Sequence, residues 1–262
     1  MHRDSSLLYL STEHATRRNA DFFINISNST SPTKVRKVVP VSVTIPNIFP
    51  NVNRYRNTWQ ENGGPEITIP EGQYDIDSLA AAFTAASTNL TMTVNGGVLE
   101  ITNNTAGSVF MESKTTDIFD MLGFHDAISP VPAFPPPGTV YRLTFSALET
   151  KTAGLPNLGG EKMVFVTSQK LAHGSTTFGG DSVEYNILAN ISFHNVDYGQ
   201  TAHFEVNELK SHEIDWLHHN NIDTVEMTIL DSKFRPLLLP GNYHMRIVLR
   251  IFHQDSMSTG KG

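Results

Sequence analysis

Hydrophobic and polar residues alternate through most of the chain. In VRKVVPVSVTI, residues 35 to 45, the apolar side chains of Val39, Val41, Val43 and Ile45 fall on one face, as in a half-buried strand, with Arg36 and Lys37 at its entry. The same two-residue period recurs at 21–26 (DFFINI), 140–146 (VYRLTFS), 162–168 (KMVFVTS), 186–194 (NILANISFH), 202–206 (AHFEV), 224–230 (TVEMTIL) and 243–252 (YHMRIVLRIF). Between these runs lie Gly/Pro/Asn/Ser stretches such as GLPNLGG (154–160) and HGSTTFGGD (173–181), long enough for sandwich end loops. Many strands joined in this way predict a mainly β fold, a jelly-roll β-sandwich, rather than a βαβ arrangement.

One stretch breaks the period. In ITIPEGQYDIDSLAAAFTAA, residues 67 to 86, alternation stops at Pro70, which lacks a ladder donor, and Gly72 permits a turn. Ile76, Leu79, Phe83 and Ala86 then recur at helical spacing, with Asp75 or Asp77 as the cap. LTMTVNGGVLEIT reads as a hairpin turning at Asn95-Gly96-Gly97, and DIFDMLGF as a further helical turn. SPVPAFPPPG, residues 129 to 138, holds five prolines and reads as a stiff linker. The expected organisation is a jelly roll over 1–70 and 131–262, interrupted by a small α+β insertion at 71–130.

Charge adds an asymmetry. The net charge is −7, yet residues 1–56 carry eight Lys/Arg against three Asp/Glu, which leaves −12 on residues 57–262. A basic N-terminal section is a candidate for contact with nucleic acid or an acidic partner; arginines on strand edges also serve to keep those edges solvated. The chain has no cysteine, which fits a reducing compartment. MHRDSSLLYLSTEH holds too short an apolar run for a signal peptide, and no run approaches transmembrane length, so an intracellular protein is expected.

Candidate chemistry is sparse. His212, Glu213, Asp215, His218 and His219 crowd together, but a zinc-binding H-E-x-x-H helix requires histidine at 216, where Trp216 stands. His194, His203 and His244 lie on predicted strands, from which a jelly roll can gather metal ligands. Ser175 and Ser182 do not fit a G-x-S-x-G elbow, and the phosphate-binding glycine loops are missing from the sequence. The carboxylate pairs Asp75/Asp77 and Glu205/Glu208 are better explained as helix-start and strand-end charges. Sequons occur at Asn25, Asn28, Asn89, Asn103 and Asn190. Tyr55, Trp59 and Phe178 are candidate sugar-stacking aromatics.

In order and spacing the motifs resemble the penton and minor capsid proteins of virophages, polinton-like viruses and related large eukaryotic DNA viruses. LLYLSTEHATRRNADFFINIS looks like that family's opening strand, basic turn and second strand. KVRKVVPVSVTIPNIFPNVN looks like its long strand closing on Ile-Pro-Asn, and ITIPEGQYDIDSLAAAF like its strand, Pro-x-Gly-x-Tyr turn and helix. IFDMLGF and TVEMTILDSKFRPLLLPGNYHMRIVLRIF resemble its Leu-Gly-Phe and its final strand pair around an aspartate turn.

The resemblance implies a jelly roll with no catalytic residues, no metal, no cofactor and no small-molecule substrate. It implies a homopentamer at icosahedral vertices of a virion assembled inside the host cell, contacting the major capsid protein and other minor capsid proteins. A minor capsid or cement protein, and a carbohydrate-binding jelly-roll module, are the alternative readings. The segment 147–182 matches no family motif, so the resemblance assigns no receptor or spike contact to it.

Overall fold

A computed structural model describes residues 5–18, 20–25, 35–133, 138–169, 171, 176–178, 184–205, 214–215 and 224–253. The chain forms two compact units, one from Met1–Phe49 and Glu161–Gly262, the other from Pro50–Gly160. The first opens with β1 (Ser5–Ser11), a 3-10 turn (Thr12–His14), β2 (Thr16–Arg18), β3 (Asp21–Asn25) and β4 (Val35–Pro46). The second contains β5 (Thr58–Glu61), β6 (Glu66–Thr68), α1 (Ile76–Ala86), β7 (Leu90–Asn95), β8 (Val98–Asn103) and β9 (Val109–Ser113). It continues with α2 (Asp117–Leu122), β10 (Ser129–Pro132), β11 (Thr139–Phe145) and β12 (Thr150–Thr152). The chain returns to the first unit with β13 (Met163–Thr167), β14 (Thr176–Phe178), β15 (Glu184–Ser192), β16 (Thr201–Glu205), β17 (Ile214–Asp215), β18 (Thr224–Leu230) and β19 (Arg246–His253).

In the first unit, one sheet runs β1-β19-β4-β16, with β17 pairing β4, and the other β14-β15-β13-β18-β3-β2. The pairs β1/β19, β3/β18, β4/β16 and β13/β15 are all antiparallel. Pairing runs from the outside of the sequence inwards, β1 with β19, β3 with β18, β4 with β16 and β13 with β15, while successive pairs fall in alternate sheets. This is a long hairpin rolled into two layers, the jelly roll expected from the alternation. The inward residues of both sheets, among them Leu10, Phe22, Val43, Val164, Ile191, Met227 and Ile247, form one hydrophobic cluster.

The strand-facing pattern is corrected within β4. Ser42 pairs with Val248 and Pro40 with Leu249, so Val41 is an extra residue that bulges from the ladder. The bulge reverses the phase: Val38, Val43 and Ile45 are fully buried, whereas Val41 is half-buried. A strict period over 39–45 has no means of anticipating that extra residue.

The second unit packs its own core. Its sheets run β10-β11-β9-β5-β6 and β12-β8-β7. Leu79 and Phe83 of α1 are buried with Trp59, Leu90, Leu99 and Phe119, and the rings of Trp59 and Phe83 stack at 4.6 Å. Residues 71–130, expected as an insertion, lie within this unit, which also draws on the chain before and after them because β9 pairs with both β5 and β11. The proline-rich stretch is more than a linker. Ser129–Pro132 pairs with β11 at the outer position of the sheet, a place that tolerates proline because one side of the strand needs no donor. Helix α1 starts where predicted: Asp75 Oδ1 accepts the Ser78 N–H at 2.7 Å, and Ser78 Oγ accepts the Asp75 N–H at 3.0 Å. The hairpin turns at Gly96 and Gly97, both at positive φ.

Candidate assembly surfaces

The motifs that carry the family resemblance act as anchors of the backbone. Asn47 donates to Val196 O at 2.7 Å, while its own N–H reaches Gln200 O and its carbonyl receives the Gly199 N–H, which fastens the end of β4 to the loop before β16. In the second unit Asn51 accepts the Tyr74 N–H at 3.0 Å and donates to Tyr74 O at 2.6 Å and Leu158 O at 3.1 Å. The Pro-x-Gly-x-Tyr turn is closed by the Tyr74 hydroxyl, which donates to Pro70 O at 3.0 Å. The aspartate turn is built around Asp231, fully buried, which accepts the N–H groups of Lys233 and Arg235 and the Arg235 guanidinium, each at 2.8 Å. That turn holds Phe234 at φ 60°, where its ring stacks on Phe165 at 4.8 Å.

Among the described residues the candidate chemical side chains are not brought together. His212, Glu213, Trp216, His218, His219, Ser175, Ser182, Asn28 and Glu208 lie outside the described residues. Asp215 belongs to β17 and Phe178 to β14; their side chains are outside the described set. His203 Nδ1 shares a hydrogen bond of 2.8 Å with Thr44 Oγ1, His194 is exposed beyond β15, and the buried Nδ1 of His244 meets no partner. Among the described residues no three His, Asp or Glu side chains are grouped to hold a metal ion. Asp75 is a helix cap, Asp77 lies in the first turn of the same helix, and Glu205 is exposed at the end of β16. Asn89 and Asn103 are structural: the first donates to Glu61, and the second is buried and donates to Gly107 O and Ser146 O. Asn25 and Asn190 are exposed. Trp59 is buried and presents no platform to a sugar; Tyr55 is half-buried beneath the Arg54 guanidinium.

Among the described residues, the cations of the basic N-terminal section make local contacts. Arg17 donates to Leu239 O at 2.9 Å and Tyr243 O at 3.2 Å, so its charge fastens β2 to the loop before β19. Arg18 lies over Phe23, and Arg54 and Arg56 belong to the second unit.

What sequence reasoning missed is the sandwich's outer surface. Leu7 and Tyr9 of β1 are 47% and 71% exposed, although Leu8 and Leu10 beside them are buried. β1 is a terminal strand of its sheet, and its register places Tyr9 opposite Val248 and Ser11 opposite Arg246. Arg246 pairs in turn with Thr44, and Thr44 with His203, so these side chains form a row across the outward face. The outward face of the other sheet carries Asp21, Phe23, Glu226, Thr228 and Met163. The available signal was SLLYLS itself: alternation there leaves Leu7 and Tyr9 on the face opposite the buried Leu8 and Leu10.

Among the described residues no helix is long and apolar enough to cross a membrane. No protein-family model matches the chain, and no curated protein matches it. Among solved structures, it is similar to the crystal structure of mavirus penton protein, at 13% sequence identity and a TM-score of 0.47 over 96% of this chain and 100% of that one. A likeness of that degree assigns neither a family nor a role.

Proposed function

We propose that this chain is a structural capsid protein, foremost a penton protein that forms a homopentamer at icosahedral vertices and contacts the major capsid protein. The observation that carries this reading is where the motifs fall: Asn47, Asn51, Tyr74 and Asp231 are spent on holding loops of a jelly roll and of its companion unit. Conserving backbone shape in this way suits a building block, whose function is the geometry it presents. A rigid sandwich with different outward faces suits head-to-tail association, which closes into a ring when the rotation per copy allows it. The second unit, Pro50–Gly160, to which residues 71–130 belong, is then an appendage inserted in the jelly roll, adding contact surface without disturbing the pairing of the sandwich strands.

The test is the mass and shape of the purified full chain. Five-chain rings in native mass spectrometry and electron micrographs are the expected result. A trimer would favour a cement protein beneath the shell, and a particle without self-association at high concentration would reject the vertex reading.

A further inference from the structure

We infer that the two outward faces of the jelly roll bind each other between copies, with the β1 face of one chain seated on the β3/β18 face of the next. The inference rests on the capsid reading and names the contact within it.

Three features lead to this occupant. The first is an edge. β1 is seven residues long, without proline, lysine or bulge, and among the described residues nothing pairs its outer side. Such an edge is a template for association unless it is covered. The second is apolar exposure on that strand, at Leu7 and Tyr9, continued inwards by half-buried Val248. On the partner face Phe23 and Met163 are half-buried, and Phe234 stacks over Phe165.

The third is charge. Arg246 is exposed on the β1 face and, among the described residues, meets no carboxylate. On the opposite face the half-buried carboxylate of Glu226, among the described residues, meets no cation, and Asp21 stands beside it, accepting the Thr228 hydroxyl. A cation that meets no carboxylate among the described residues, on the same face as exposed leucine and tyrosine, and a carboxylate that meets no cation among them, opposite the Phe23 ring, make complementary surfaces. The charged groups around them are Glu205 and His203 on the β1 sheet, Arg250 on β19, and Arg18 over Phe23.

Area sets how the faces must meet. Four strands about 4.8 Å apart and seven paired positions at about 3.4 Å give a plan of roughly 450 Å², near half of the ~800 Å² per partner of a stable interface. The sheet face alone is too small, so the β1 edge has to share the contact. Two different faces used by every copy also make the contact heterologous, as a ring requires.

Charge reversal in the full chain tests the pairing. Size and concentration dependence are followed by light scattering for wild type, Leu7→Ser/Tyr9→Ser, Arg246→Glu, Glu226→Arg and the double reversal Arg246→Glu/Glu226→Arg, with circular dichroism confirming that each is folded. We expect at least a ~10-fold weaker assembly for the serine pair and each single reversal, and recovery to within ~3-fold in the double reversal. Rings that persist unchanged in all variants, or single defects that add in the double reversal, overturn this contact and leave the capsid reading standing. A wild-type chain that stays monomeric overturns both.

Discussion

The carbonyl oxygen of Gly154 lies 2.7 Å from the place that a β-carbon on Gly123 would occupy. Gly123 ends α2 at φ 85°, its carbonyl accepts the Gly154 N–H at 2.8 Å, and the next residue closes the helix through Phe124 N–H to Phe119 O at 2.8 Å. The Leu-Gly-Phe motif therefore combines a left-handed backbone with a close approach of two chains.

Replacing this glycine strains both features. Gly123→Ala is expected to lose about 1–2 kcal/mol for the left-handed conformation alone, with the clash against Gly154 adding to it. Urea unfolding of the variant should show a lower midpoint; an unchanged midpoint would mean that the chain at Gly154 moves aside without cost.

Glu61 binds the end of α1 to β7. Its buried carboxylate accepts the Asn89 N–H and Asn89 Nδ2, each at 2.9 Å, the Ser87 hydroxyl, and the Trp59 indole N–H at 3.4 Å. Glu61→Ala should cost on the order of 3 kcal/mol, because several donors lose their acceptor together. Thermal melting followed by tryptophan fluorescence reads this directly, since Trp59 is one of the donors, and a melting point within 1–2 °C of wild type would show that water replaces the carboxylate.

The turn at Asp231 offers a sharper comparison. Asp231→Ala removes the acceptor for two backbone N–H groups and the Arg235 guanidinium, and should destabilise by about 3 kcal/mol. Asp231→Asn keeps an oxygen for the N–H groups and loses the charge, so it should fall between alanine and wild type. Equal stabilities for the two variants would assign the whole effect to the ion pair.

Acid should weaken the start of α1. The Ser78 side chain and then the Ser78 N–H, both bonding the Asp75 carboxylate, hold its pKa below the ordinary aspartate range. A depressed carboxylate stabilises the fold above the unfolded pKa, and that contribution is lost as pH falls through the lower folded value. The gap in melting temperature between wild type and Asp75→Ala should therefore be largest near pH 6–7 and shrink towards pH 2–3, following the aspartate range. A gap that stays constant with pH would mean the cap works without its charge.

The helix Ile76–Ala86, its aspartate cap, the Gly96-Gly97 turn and most strand positions were legible in the sequence, because each depends on residues a few places apart. Asn47, Asn51, Glu61 and Arg17 were not legible as anchors. Asn47 reaches Val196 and Arg17 reaches Leu239, partners far along the chain that no local pattern can nominate.

Alternation by itself determined that this protein is built of two-faced strands, since side chains on extended backbone point to opposite sides whatever the strand's neighbours. Tertiary structure alone decided that β1 lies beside β19 and β4 beside β16, that Val41 bulges, and that Leu7, Tyr9 and Arg246 share an outward face. The physical reason is the range of the forces involved. Strand character is set by local sterics and periodicity, while partner, register and edge are set by how a whole rolled hairpin satisfies its backbone hydrogen bonds and buries one common core.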